Sequence, residues 1–206
     1  MAKIYKVEPA EQRFSITWNI GPRCNYDCMY CPTMLHDNHS THPSLDLLKK
    51  RWLSIYEKTY QQNLLYKLSF TGGEVSANKS SLPLFEWLTE NYGHCIDKIL
   101  VTTNGSASLA YYKKMFKIVN NMSFSLHSEH VHETKFFDTV ISLKKTLPGD
   151  RHLHVSIMDE FWNQARIPEY VKILQTHGIS CQVNKIDYSK QTRTIPIMKG
   201  KLDLEI

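Results

Sequence analysis

Short segments in which apolar and polar residues alternate recur along the chain, and between them lie longer segments in which apolar residues return every three or four positions. Alternation is typical of a half-buried strand, whereas the longer spacing places apolar side chains on one stripe of a helix. Residues 44–61 show such a stripe, formed by Leu45, Leu48, Trp52, Ile55 and Tyr56. The pattern therefore predicts strands and helices that follow one another in turn.

Turn-forming residues such as Gly, Pro and Asn mark the ends of these segments. We expect strands over residues 13–21, 66–71, 98–103, 121–126, 152–157 and 179–186. We expect helices over residues 44–61, 81–92, 108–119, 131–146 and 168–177. Strands that alternate with helices in this way indicate parallel βαβ units with right-handed crossovers, hence an α/β fold.

The periodicity fits an open Rossmann-like sheet as well as a partial barrel. In both architectures, ligands bind at the carboxyl ends of the strands. The composition, 42% hydrophobic and 22% charged residues, is that of an ordinary folded protein. We find no internal repeat or low-complexity linker, so residues 1–206 are expected to form one domain, in which residues from about 189 to 206 form an extended tail.

The formal net charge of +5 is spread along the chain without a run of Lys or Arg. It gives a weak preference for anionic partners, and nucleic acid is not expected as a ligand. No stretch approaches the roughly 18–20 apolar residues of a membrane span, and the first residues lack the apolar core of a signal peptide. The sequence thus predicts a cytoplasmic protein without a membrane partner.

Three of the five cysteines lie close together after the first predicted strand, in a C-x3-C-x2-C arrangement formed by Cys24, Cys28 and Cys31. This is not the pattern of a secreted disulfide framework, and thiolates favour zinc or iron–sulfur clusters. A structural zinc ion takes four ligands, and histidines that could supply the fourth follow at His36, His39 and His42. A zinc site and a set of ordinary buried cysteines therefore stand as alternatives to a cluster.

The cysteine segment is similar to the signature of the radical S-adenosylmethionine (SAM) superfamily, including the aromatic Tyr30 just before the third cysteine. The resemblance implies a partial (β/α)6 barrel of parallel strands with a [4Fe–4S] cluster on Cys24, Cys28 and Cys31. It also implies that the cluster iron without a protein ligand binds SAM, and that Tyr30 lies at the cofactor site. SAM is then cleaved reductively to a 5′-deoxyadenosyl radical, which abstracts hydrogen from a substrate. An external electron donor such as flavodoxin or ferredoxin would supply the electron.

Further segments at predicted strand ends resemble motifs of the same superfamily. Thr71-Gly72-Gly73-Glu74 resembles the GGE motif, which binds the amino group of SAM, and its glycines are interpreted as exposing backbone carbonyls to the ligand. Thr102-Thr103-Asn104-Gly105 is similar to a segment that places polar groups, here Thr102 and Asn104, near the SAM ribose and carboxylate.

Polar residues with period two end the fourth and fifth predicted strands. Ser125 resembles a serine that contacts SAM, and Met158 is interpreted as a neighbour of the adenine. His127 follows Ser125 on the same face, nearer the mouth of the expected barrel. It is a candidate catalytic residue that contacts substrate or donates a proton.

The substrate is left open between a peptide or protein and a small phosphorylated or nucleotide-like molecule. The chain shows no sign of an auxiliary-cluster extension, since Cys95 and Cys181 lack cysteine neighbours, so a partner protein is expected to be able to cover the barrel mouth. A non-catalytic zinc or iron–sulfur binding module is the alternative function.

Overall fold

Six strands form one all-parallel sheet in the computed structural model, which describes residues 13–32 and 36–188. The strands are β1 (Arg13–Asn19), β2 (Leu65–Thr71), β3 (Ile96–Thr103), β4 (Asn121–Leu126), β5 (His152–Asp159) and β6 (Ser180–Lys185). The helices are α1 (Leu45–Thr59), α2 (Ser81–Tyr92), α3 (Leu109–Met115), α4 (Glu133–Thr146) and α5 (Ile167–Thr176). The predicted tail over residues 189–206 lies outside the described residues.

Each predicted strand and helix is present, with ends shifted by a few residues. Helix α1 begins directly after Ser44, whose side chain accepts a hydrogen bond from the backbone N–H of Leu47. Helix α3 is shorter than predicted: it ends at Met115, and residues 116–119 continue as tight turns. One such turn is closed by the N–H of Ile118, which donates to the carbonyl of Met115. Apolar spacing could not detect this change, because a turn and a helix bury similar faces over so few residues.

The strand order decides between the two architectures that the periodicity left open. The strands lie side by side in the order β1-β2-β3-β4-β5-β6, without the reversal of order that defines a doubly wound Rossmann sheet. Right-handed crossovers between consecutive neighbours place every helix on the same face and curl the sheet as in a (β/α) barrel. Within the described chain no pairing joins β1 to β6, so the barrel is partial.

The two faces of the sheet differ in chemistry because side chains alternate along each strand. One face packs against the helices and carries buried apolar residues, among them Leu68, Phe70, Val101, Phe124 and Val155. The opposite face carries small polar and histidine side chains, among them Thr17, Ser69, Thr102, Ser123 and His154. The inner face of the partial barrel is therefore a polar surface suited to a ligand.

Candidate functional site

A cavity of about 260 Å³ lies at the carboxyl ends of the first four strands. The predicted site residues that line it are Cys24, Cys28, Cys31, Thr71, Gly72, Gly73, Glu74, Thr102, Asn104, Ser125 and His127. Residues that the sequence analysis did not assign to the cofactor site also line it: Tyr26, Pro32, His36 and Thr103. Tyr26, Pro32 and Thr103 lie within or directly beside the recognised motifs, and that adjacency is the signal that could have found them. His36 was singled out in the sequence as a possible zinc ligand only. Of the predicted residues in the described chain, Tyr30 and Met158 do not line this cavity.

The cysteine loop is tied by its backbone to the segment that follows it. The N–H of Cys24 donates to the carbonyl of Asp37 over 2.7 Å, and the N–H of Asp37 donates to the carbonyl of Pro22 over 3.0 Å. The guanidinium of Arg23 donates to the carbonyl of Ser40 over 2.9 Å. These bonds hold the loop open around the cavity, a shape that neither a helix nor a strand could give to three closely spaced cysteines.

The spacing of the three sulfur atoms favours a cluster over a single ion. Sulfurs that share one tetrahedral zinc ion lie about 3.8 Å apart, given bonds of about 2.3 Å. Among the described residues, the group whose ligand atoms all lie within 4.8 Å of one another is instead Cys28, Glu129 and His130. The three cysteine sulfurs do not form such a group, so at least one pair of them lies more than 4.8 Å apart, which is too far for one shared ion, whereas a larger inorganic cluster bridges such a gap.

As long as no cation is bound, Cys24 and Cys28 are held as neutral thiols. Burial raises the pKa of Cys24 to about 11, and the pKa of Cys28 is raised by a hydrogen bond with Cys31 and by burial. A metal centre binds the thiolate and displaces the proton. Three thiols at one cavity are thus a donor set that fits an iron–sulfur cluster.

Gly72 and Gly73 allow the end of β2 to pass directly against the cysteine loop. Gly72 has φ +127°, in the region that favours glycine, and a Cβ on Gly73 would lie 2.0 Å from the carbonyl oxygen of Arg23. The N–H of Gly73 donates to the carbonyl of Gly21 over 2.8 Å, and the N–H of Glu74 donates to the carbonyl of Arg23 over 3.0 Å. The two glycines were expected to let the backbone approach a ligand closely. In the structure their close contacts are with the cysteine loop.

The carboxylate of Glu74 is buried and joins β2 to β3. Its Oε1 accepts from the N–H of Ser76 over 2.7 Å and from the hydroxyl of Thr103 over 2.5 Å, while Oε2 accepts from the N–H of Asn104 over 2.6 Å. Burial raises the pKa of Glu74, and these three donors oppose that shift. A carboxylate has about four lone-pair sites, so one on Oε2 is left for a ligand in the cavity.

Asn104 contacts the cysteine loop as well as the cavity. Its Nδ2 donates to Oδ1 of Asn25 over 3.0 Å and lies 3.8 Å from the sulfur of Cys24. Its Oδ1 accepts from the N–H of Ser106 over 3.0 Å. The amide thus links the end of β3 to the first cysteine.

Tyr30 and His127 form a pair beside the cavity. Their rings stack with centroids 5.8 Å apart, and the Tyr30 hydroxyl is hydrogen-bonded to Nδ1 of His127. The same hydroxyl donates to Oε1 of Glu160 over 2.9 Å. Glu160 is not among the residues predicted from the sequence, because a single acid after a strand gives no signal of its own.

A second cavity, of about 350 Å³, lies on the polar inner face of the barrel. Thr71 and Thr102 line both cavities, so the two cavities are adjacent. The side chains of the second cavity that can hydrogen-bond include Thr17, Ser69, Asn121, Ser123, His152 and His154.

No helix in the described part of the chain has the length and apolar character needed to cross a bilayer.

Comparison with known proteins places the chain near a group of enzymes. It is 23% identical over 203 residues to the GTP 3′,8-cyclase of Rhizobium leguminosarum bv. trifolii (strain WSM2304), covering 91% of this chain and 57% of the relative. It is 22% identical over 202 residues to the GTP 3′,8-cyclase of Rhizobium etli (strain CIAT 652), again covering 91% and 57%. The chain thus spans little more than half the length of these curated relatives. No family model matches it.

Among solved structures, the chain resembles Streptococcus suis SuiB, determined with its precursor peptide SuiA. The TM-score is 0.64 with 16% identity, over 90% of this chain and 43% of SuiB. At this identity the likeness concerns the fold alone.

Proposed function

We propose that this chain, whose sequence relatives and fold support the radical SAM superfamily, holds a [4Fe–4S] cluster on Cys24, Cys28 and Cys31 and binds SAM in the adjoining cavity. Enzymes of this superfamily use these two cofactors. The observation that carries the proposal is that the three cysteines and the ends of β2, β3 and β4 line one cavity. When bound, the cluster would supply the electron that cleaves SAM to methionine and a 5′-deoxyadenosyl radical, which abstracts hydrogen from the substrate.

The chain's own residues would bind and orient SAM. The free lone pair on Oε2 of Glu74 suits the SAM ammonium group, because a buried carboxylate attracts a cation strongly. Thr102, Asn104 and Ser125 line the same cavity and offer polar groups to the ribose and the carboxylate. Gly72 and Gly73 keep the end of β2 and the cysteine loop at a fixed distance.

A small, polar, nucleotide-like or phosphorylated molecule is the substrate that we favour. The inner cavity adjoins the SAM cavity, and its lining combines hydroxyl, amide and imidazole side chains with apolar residues such as Phe70 and Met122. These polar groups suit a compact polyhydroxylated ligand more than an extended peptide. The name of the sequence relatives, GTP 3′,8-cyclase, supports a nucleotide. A peptide substrate, a partner protein over the barrel mouth and a flavodoxin or ferredoxin as electron donor stay predictions.

A non-catalytic metal-binding module is the second candidate, and the group formed by Cys28, Glu129 and His130 is the observation that favours it. In this case a zinc ion would bind there and take Cys28 away from a cluster. Zinc and a complete three-cysteine cluster are therefore mutually exclusive.

Anaerobic reconstitution with iron and sulfide tests the proposal. We expect a brown protein with a broad absorption near about 400 nm that bleaches with dithionite, as for cysteine-ligated iron–sulfur clusters, and formation of 5′-deoxyadenosine from SAM. A colourless protein that retains stoichiometric zinc after reconstitution would contradict it. Candidate substrates, with GTP first, are then supplied in deuterated form, and transfer of deuterium to 5′-deoxyadenosine identifies the substrate.

A further inference from the structure

The hydroxyl of Tyr30 lies between two partners from other parts of the chain. It donates to Oε1 of Glu160 over 2.9 Å, and it is hydrogen-bonded to Nδ1 of His127. Glu160 has no exposed surface, and His127 lines the cavity proposed for SAM. Tyr30 thus connects a buried carboxylate to an imidazole at the candidate site.

A second chain of hydrogen bonds ends on the other oxygen of Glu160. The indole N–H of Trp162 donates to the hydroxyl of Ser128 over 2.9 Å, and this hydroxyl is hydrogen-bonded to Oε2 of Glu160. Nδ2 of Asn163 lies 3.5 Å from the same oxygen. An indole can only donate, so the one proton of Ser128 is left for the carboxylate. Oε2 therefore accepts from Ser128. Burial raises the pKa of Glu160, but the hydrogen bonds that Ser128 and Tyr30 donate to it oppose that shift, and we take the group as a carboxylate whose Oε1 accepts from Tyr30.

The direction of these bonds fixes the proton on His127. A tyrosine hydroxyl has one proton, and when this proton goes to Glu160 the oxygen of Tyr30 must accept from its other partner. Nδ1 of His127 is then the protonated nitrogen. Burial lowers the pKa of His127 to about 4, and His130 and His36 lower it further, so the ring is neutral near pH 7.

A neutral imidazole has one N–H, so Nε2 of His127 is left with a lone pair. Within residues 13–32 and 36–188 this nitrogen has no protein hydrogen-bond partner, while its ring lines the cavity. Nε2 is therefore the atom that a bound molecule can use.

We propose that Glu160, acting through Tyr30, fixes His127 in the tautomer whose Nε2 accepts a hydrogen bond from a hydroxyl or ammonium group of the ligand in the cavity, which we take to be SAM. Glu160 and Tyr30 are positioning residues, and His127 is an acceptor. Of the two roles predicted from the sequence, substrate contact or proton donor, this inference replaces the second. The identity of the ligand rests on the proposed function, whereas the tautomer rests on the hydrogen bonds together with an ionised Glu160 and a neutral His127.

The tautomer is measured by long-range 1H–15N correlation on protein labelled with 15N-histidine, both free of the cluster and with the cluster oxidised. The expected result is a protonated Nδ1 and an unprotonated Nε2 on His127. A protonated Nε2 in the parent protein would overturn the inference. The same result is expected of the cluster-free chain. Failure to assemble a cluster would therefore count against the proposed function and not against the tautomer.

The variant Glu160→Gln gives the sharpest test. Ser128 and Asn163 donate toward Oε2, so the Gln carbonyl should take that side and its amide group should face Tyr30. The amide would then donate to Tyr30, Tyr30 would donate to Nδ1, and the tautomer of His127 should reverse to protonated Nε2. An unchanged tautomer in E160Q would contradict the proposal.

Substitution of two tyrosines and saturation with SAM test the chain of bonds further. Y30F should lose the single tautomer and give a mixture, whereas Y188F should behave as the parent, because the Tyr188 hydroxyl contacts the N–H of Phe161 and lies outside the chain of bonds. Saturation with SAM should shift the Nε2 resonance of His127 while leaving it unprotonated. If SAM binds and this resonance does not move, Nε2 does not contact the ligand.

Discussion

The backbone N–H of Asn104 donates to Oε2 of Glu74 over 2.6 Å, across 30 positions of the chain. This bond joins the end of β3 to the end of β2, and the side chain of Asn104 carries the connection on to Asn25 in the cysteine loop. The segments that resemble superfamily motifs are therefore one hydrogen-bonded unit. A substitution in one of these segments is therefore expected to alter the geometry of the others.

Replacement of any of Cys24, Cys28 or Cys31 by Ala should abolish the cluster and the cleavage of SAM, because two thiolates do not hold a cluster that needs three. Iron and sulfide content, absorption near about 400 nm and 5′-deoxyadenosine formation measure this loss. C95A is the matched control, since Cys95 donates to the carbonyl of Tyr92 away from the cavity and should leave the iron content unchanged. Formation of 5′-deoxyadenosine by C28A would show that the cluster lies elsewhere.

The variant Glu74→Gln should both weaken SAM binding and destabilise the fold. Loss of the negative charge removes the partner of the SAM ammonium, and we expect affinity to fall roughly tenfold. The NH2 group of the Gln side chain must also face a donor, either the Thr103 hydroxyl or the N–H of Asn104, so the free energy of unfolding should fall by about 2 kcal/mol. Calorimetric titration with SAM and urea denaturation measure the two effects.

Glu90→Gln is the control for this variant, because Glu90 is exposed on α2. It should change neither SAM affinity nor stability. The iron content of E74Q is expected to stay near that of the parent. Loss of iron in E74Q alone would mean that the carboxylate serves mainly to hold Asn104 and the cysteine loop.

Gly73→Ala should disrupt the contact between β2 and the cysteine loop. The added Cβ would lie 2.0 Å from the backbone oxygen of Arg23 and 2.5 Å from that of Pro22, and backbone atoms cannot move aside cheaply. We expect a loss of at least about 3 kcal/mol in the free energy of unfolding, together with lower iron content. G149A adds a Cβ that meets nothing within 4 Å, so it should change stability by less than about 1 kcal/mol. Equal stabilities for the two variants would contradict the close approach.

The neutral state of His127 should make stability depend on pH. The pKa of this ring is lowered from 6.5 to about 4, mainly by burial, so between these values the unfolded chain binds more protons than the folded chain. Stability is therefore fully present above about pH 6.5 and falls as the pH falls toward about 4. Between about pH 7 and about pH 5 the cluster-free parent should lose about 2 kcal/mol more than H127Q.

Urea denaturation at several pH values gives the difference between these two curves. His94→Gln is the control, since His94 is exposed and its removal should leave the parent's pH dependence intact. Parallel curves for the parent and H127Q would show that burial does not hold the ring neutral.

The sequence by itself determined the alternation of strands and helices. It also determined that polar residues gather at the carboxyl ends of the strands. Local spacing is sufficient for this, because the period of apolar residues distinguishes strands from helices. The predicted ends of helices α3 and α1 were less accurate, because tight turns such as residues 60–62 satisfy the same apolar spacing as a helix.

Only the tertiary structure decided the order of the strands, the close approach of β2 to the cysteine loop and the partners of the buried acids. The close contact of Gly73 with Arg23 and the bonds of Glu160 to Tyr30 and Ser128 join positions far apart in the chain. Apolar periodicity reports which face of an element is buried, but not which residue of another element meets it. Such pairings are set when the elements pack, and for this reason the cysteine motif was evident from the sequence while the hydrogen bonds that orient Tyr30 and His127 were not.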